Sequence, residues 1–140
     1  MKPSLRLAAL MKIDPILVFT HDSIGLGEDG PTHQPIEQIN MLRSIPNSNV
    51  FRPADLLETA LCWEAAIKIK NGPSFLCLSR QNLPQISNNL VKIKDFKGAY
   101  VIDQNSKKNQ ITIIATGSEV SLAIETSKIL LENKISSKVI

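Results

Sequence analysis

Residues 16–35 read ILVFTHDSIGLGEDGPTHQP, four apolar residues followed by a loop holding two histidines, three glycines and three acids. Ile16-Leu17-Val18-Phe19 is a short continuous apolar run of the kind a buried strand uses. Pro35 predicts the first turn of a helix continuing through Ile36, Ile39, Met41 and Leu42. Strand, glycine-rich loop and helix in that order already point to an α/β fold.

Working outward, residues 4–12 are helix formers without a breaker, and Asn49-Val50-Phe51 reads as a second, weaker strand. Pro53 opens a predicted helix over 54–70. Its apolar stripe is Leu56, Ala60, Trp63 and Ile67, widened by Leu57 and Leu61. Asn71-Gly72-Pro73 stops it, and residues 74–78 read as a further buried strand. The alternation predicts a mostly parallel sheet flanked by helices. Residues 84–98 turn polar and lose periodicity, which marks a connecting segment. Beyond it, 110–115 reads as a strand and Ser118 as the N-cap of a helix. That helix would bury Val120, Ala123, Ile124, Ser127, Leu130 and Leu131. Lys138-Val139-Ile140 starts one more strand, so the expectation is a second, incomplete α/β domain.

The bulk composition fits this picture. Of the 140 residues, 43% are apolar and 21% charged, the proportions of a globular protein. No apolar run approaches the ~18 residues of a membrane span, and the short run at 7–11 lacks the features of a signal peptide. The net charge of +3 comes from scattered lysines, densest at 92–97 and 107–108, without interleaved aromatics. A solvated face explains them better than a nucleic-acid surface. Cys62 and Cys77 sit inside apolar segments and read as core thiols of a reduced, cytoplasmic protein.

Gly25-Leu26-Gly27-Glu28-Asp29-Gly30 spells G-x-G-x-x-G, yet a dinucleotide loop fits badly. Four residues separate the strand from the first glycine, Glu28 and Asp29 would face phosphates, and Pro31 removes a donor. Position suggests a different ligand. In a parallel sheet, ligands bind beyond the carboxyl ends of the strands. His21 and Asp22 follow one strand, Ser79-Arg80-Gln81 another, and His33 falls near the predicted helix start, where an anion is favoured. Two histidines and an arginine can thus converge on a phosphorylated polyol, with Asp29 accepting from its hydroxyls. The plainer reading stays open: solvated histidines, a surface salt bridge at Arg80, and glycines serving only a tight turn.

"THDSIGLGEDGPTHQPIEQ" resembles the signature of transketolase, in the pyrimidine-binding domain of that thiamine-diphosphate enzyme. The resemblance continues in order through "LRSIPN", "FRPAD" and "GPSFLCLSRQNLP", and "IATGSEVSLAIE" resembles the opening of the family's C-terminal domain. Deoxyxylulose-phosphate synthase shares the "DGPTH" core but lacks the "THDSIGLGE" lead-in, and dihydroxyacetone synthase is a close relative of the same pattern. The resemblance implies a partial pyrimidine-binding domain over 1–83, a linker over 84–98 and a partial C-terminal domain over 99–140. It also implies roles. His21 and Arg80 would contact the sugar phosphate, Asp29 a sugar hydroxyl, and His33 the reacting carbon, as the catalytic residue.

Thiamine diphosphate and Mg2+ are the family's cofactors, but the residues that hold them lie upstream of the matching segment. The expected activity is transfer of a two-carbon ketol unit between sugar phosphates, in the pentose phosphate pathway. The expected partners are sugar phosphates and a homodimer mate or a complementary N-terminal chain, with neither nucleic acid nor membrane. Alone, the chain is expected to be inactive. The alternative is a non-catalytic remnant or a small sugar-phosphate-binding module.

Overall fold

The computed structural model describes residues 2–27, 29–86 and 98–140. Most of the expected connecting segment, the lysine-rich stretch at 92–97 and Glu28 lie outside these described residues. The chain begins with α1 (Lys2–Leu10), then β1 (Ile16–Asp22), a 3-10 turn (Ile24–Leu26), α2 (Gln38–Arg43) and β2 (Asn49–Phe51). α3 (Leu56–Lys68) and β3 (Ser74–Ser79) complete the first unit. β3 lies between β1 and β2, and both pairings are parallel.

Alternation along β3 builds the core, because successive side chains point to opposite faces of a sheet. Phe75 and Cys77 face one side, buried with Leu5 and Ala9 of α1 and Leu42 of α2. Leu76 faces the other, buried with Cys62 and Ala66 of α3. Helices therefore cover both faces, as a parallel sheet requires. Phe19 of β1 packs on Phe75 with ring centroids 6.1 Å apart. At the opposite end, Asn47 Nδ2 donates to the carbonyls of Ala9 and Asn71, tying α1 to the turn after α3. Gly72 makes this approach possible: a Cβ there would lie 2.4 Å from the Asn47 carbonyl oxygen.

Three local expectations are corrected. β1 is not a fully buried strand. It lies at one edge of the described sheet, and Val18 is 43% exposed. The helix expected from Pro35 starts three residues later, at Gln38. α3 does form, but Leu56, Ala60, Trp63 and Ile67 face outward, while Leu61, Cys62 and Ala66 face the sheet. Apolar spacing alone could not separate the two faces. Cys62 and Ala66 fit the close approach to β3, while Leu56, Trp63 and Ile67 fell on the opposite side.

Asp55 caps α3, accepting from Glu58 N at 2.9 Å, while Glu58 Oε2 accepts from Ala54 N at 2.6 Å. This is close to a capping box, with both ends of the helix entry satisfied.

The second unit comprises β4 (Asp103–Gln104), β5 (Ile111–Ile113), α4 (Glu119–Glu132) and β6 (Ser137–Val139). β6 lies between a parallel β5 and an antiparallel β4. β4 was not foreseen: two residues carry no periodicity. α4 buries Val120, Ala123 and Ser127, whereas Leu131 is exposed. Ser118 occupies the N-cap position, but its hydroxyl donates to Glu119 Oε1 instead of accepting from the helix backbone. Among the described residues no helix is long and apolar enough to cross a membrane.

Candidate functional site

The end of β1 shapes the site. Phe19 pairs with Cys77 and Asp22 with Ser79, so β1 carries one residue more than β3 over this interval. Such a bulge bends a strand and re-aims a side chain. Here the bulged stretch contains His21, which takes φ +71°, and Ser23 follows at φ +94°. Both conformations are unfavourable for residues with a Cβ, at roughly 1–3 kcal/mol each, and persist only where neighbours hold them. The holding contacts are visible. Ser23 Oγ accepts from Gly25 N at 3.2 Å and from Gln81 Nε2 at 2.7 Å. Asp22 is buried and accepts from Arg52 Nε at 2.5 Å.

His21 and His33 line one cavity of about 390 Å³, together with Phe19, Gln38, Met41 and Cys77. Their rings are fixed alike. Thr20 Oγ1 lies 2.8 Å from His21 Nδ1, and Thr32 Oγ1 lies 3.0 Å from His33 Nδ1. Each ring therefore keeps Nε2 without a protein partner among the described residues, and its role there follows the tautomer. Gln38 lines the same cavity, and its Oε1 is buried with no hydrogen bond among the described residues. A buried orphan of this kind calls for a ligand or water.

Arg80 and Asp29 are not in the lining of that cavity. They pair with each other on the exposed side of the loop, Arg80 Nε lying 3.5 Å from Asp29 Oδ2. His33 does not sit at a helix start either. It closes a turn, its N donating to the Gly30 carbonyl at 3.2 Å, five residues before α2. His33 therefore has no helix N-terminus behind it to favour an anion.

Sequence reading passed over Arg52. Its guanidinium bonds Asp22 on one side and, through Nη1, the Thr116 carbonyl at 2.7 Å, Thr116 Oγ1 at 3.1 Å and the Glu119 carboxylate. Burial works against the charge on Arg52, but the bonds to Glu119 and Asp22 outweigh it and raise its pKa. Burial likewise pushes Glu119 up, and the Arg52 and Ser118 hydrogen bonds bring it below the ordinary carboxylate range. No local pattern marks it, since an arginine directly after a strand is ordinarily a surface cation, and only the fold brings Asp22, Thr116 and Glu119 to it. Cys77, although it lines the histidine cavity, is held as a thiol. Burial pushes its pKa to about 11, and burial with the Glu58 charge pushes Cys62 to about 12.

A family model for the transketolase pyrimidine-binding domain matches residues 1–85, and one for the transketolase-like C-terminal domain matches 98–140. The first unit is thus a pyrimidine-binding-domain fold. The chain belongs to the transketolase family. It is 49% identical over 140 residues to the transketolase of Buchnera aphidicola subsp. Baizongia pistaciae, covering 99% of this chain and 21% of the relative. The Pichia stipitis transketolase solved in complex with sedoheptulose-7-phosphate superposes with a TM-score of 0.90 at 46% identity, over 98% of this chain and 20% of that one. A split-gene transketolase, solved as an inactive β4 tetramer, superposes with a TM-score of 0.74 at 27% identity, over 93% of this chain and 40% of that one. The chain therefore spans about a fifth of the curated relative it matches.

Proposed function

We propose that this chain is the sugar-phosphate wall of a transketolase, an enzyme that moves a two-carbon ketol unit between sugar phosphates with thiamine diphosphate. The observation that carries the reading is the convergence of His21 and His33 on one cavity beyond β1, with Gln38 in the same lining. Imidazoles suit a phosphate or a developing alkoxide. The relative bound to sedoheptulose-7-phosphate supports the ligand class.

In this reading His33 is the catalytic group, holding or passing a proton at the reacting carbon through Nε2. His21 and Arg80 bind the phosphate, and Asp29 accepts from a sugar hydroxyl. Residues 1–83 and 99–140 are the two parts, joined by 84–98, working in the cytoplasm. No three His, Cys, Asp or Glu side chains among the described residues cluster to hold a metal, and in this reading the diphosphate and its Mg2+ are not held by this chain. That part of the cofactor belongs on other residues, supplied by a dimer mate or by a complementary chain. The split-gene relative supports the second arrangement.

A segment exchange tests the reading. The matching part of the Buchnera transketolase is replaced by this chain, and ketol transfer is assayed with and without His33→Asn. Activity that falls at least 100-fold on the substitution is expected, the low end of general acid–base contributions. A folded, inactive exchange protein would overturn the reading in favour of a non-catalytic remnant.

A further inference from the structure

Arg52 stands outside the histidine cavity, yet it touches the turn that aims His21. Asp22, next to His21, is fixed by Arg52 Nε, and the other end of the same guanidinium is held entirely by the second unit, through Thr116 and Glu119. The Arg52 side chain is 13% exposed and Asp22 11%, so that ion pair is largely shielded from water, while Glu119 meets the same cation from the surface side at 39% exposed. The second unit is also shaped for this cation. Gly117 takes φ +61°, and a Cβ there would lie 2.9 Å from Arg52 Cγ. A planar fork that binds several acceptors at once is particular to arginine; a lysine ammonium on the same stem could not reach them all. The bulge at His21 stores an unfavourable backbone conformation, so its geometry depends on its anchors. Of the anchors, Gln81 comes from the end of β3, and Arg52 is the one answerable to the second unit.

We infer that Arg52 is a positioning residue for His21, and that Glu119 and Thr116 of the second unit set the His21 ring through the Arg52–Asp22 pair. The second unit then acts on the site without placing a side chain in its cavity. The inference rests on the reading of His21 as a site residue only for its consequence, since the relay itself is observable without ligand.

The chain contains only two histidines, so its imidazole NMR spectrum holds two ring systems, assigned by His33→Asn. Ring signals are compared in the unsubstituted chain, in Arg52→Lys and Glu119→Ala, and in Glu64→Gln, which breaks the remote Glu64–Lys68 pair. The expected result is a shifted or broadened His21 signal in Arg52→Lys and Glu119→Ala, with His33 unmoved and Glu64→Gln silent. Glu119 is on the surface side of the pair, so Glu119→Ala carries the test if Arg52→Lys fails to fold by circular dichroism. An unmoved His21 signal in a folded variant overturns the inference, as does equal movement of both histidines, which marks general loosening. A separate titration with inorganic phosphate, followed at His21 in the unsubstituted chain, examines the sugar-phosphate reading and can fail without touching the relay.

Discussion

Arg80 and Asp29 form an exposed ion pair, Nε to Oδ2 at 3.5 Å, although the proposed function gives them separate tasks on one substrate. Without ligand, the carboxylate occupies the cation that would meet a phosphate. Exposed pairs are worth about 0.2–1 kcal/mol. Asp29→Asn should therefore tighten inorganic phosphate binding up to about fivefold, and Arg80→Ala should weaken it, both read by isothermal titration. Weaker binding in Asp29→Asn would show that the pair is not competing with the anion.

The two thiols give a reactivity prediction. With pKa values pushed to about 11 for Cys77 and about 12 for Cys62, almost no thiolate is present at neutral pH. Both are also buried. A disulfide reagent at pH 7 should modify neither in the folded chain and both after unfolding in guanidinium. Rapid labelling of Cys77 under native conditions would mean that the histidine cavity admits the reagent and stabilises the thiolate.

Acid should loosen the junction between the two units. The folded-state pKa of Glu119 lies below its unfolded value, so its contribution is complete above the unfolded carboxylate range. It is lost as pH falls through the lowered folded value. Melting temperature should decline on acidification through and below the ordinary carboxylate range, with a shallower decline in Glu119→Gln. Parallel curves for the two proteins would assign the acid sensitivity to other carboxylates.

The core centres on β3. Phe75 and Leu76 have no exposed surface and face opposite helix layers. Phe75→Ala should cost about 3–5 kcal/mol and Leu76→Ala about 2–5 kcal/mol, measured by urea unfolding. A loss below 1 kcal/mol at either position would mean that the cavity collapses around the substitution.

The central architecture was legible because β3 and β2 sit between unmistakable breakers. Asn71-Gly72-Pro73 stops α3, and Pro53 precedes its cap. The strand-end rule placed His21 beyond β1, whereas His33 was placed by a helix start that lies five residues further on, at Gln38. What sequence could not supply was anything decided by tertiary register. Nothing in the spacing of the strand marks the extra residue in β1, although histidine visits the left-handed region more readily than most residues. Arg80 follows β3 as expected, but its partnership with Asp29 depends on how the loop folds back. Arg52 was missed because its partners lie 30 and 67 positions away. The exposed stripe of α3 shows the same limit from the apolar side: periodicity names a face, and only packing chooses which face goes in.

That stripe gives the molecule an optical reporter. Trp63 is the chain's one tryptophan and sits on it, 39% exposed. Its fluorescence therefore comes from a single place on the outer side of α3, remote from the sheet, and starts from a partly hydrated ring. Any association that covers Leu56, Ala60 and Ile67 dries the same indole, and emission moves to shorter wavelength. Assembly of this chain with another can be followed in a cuvette without a label.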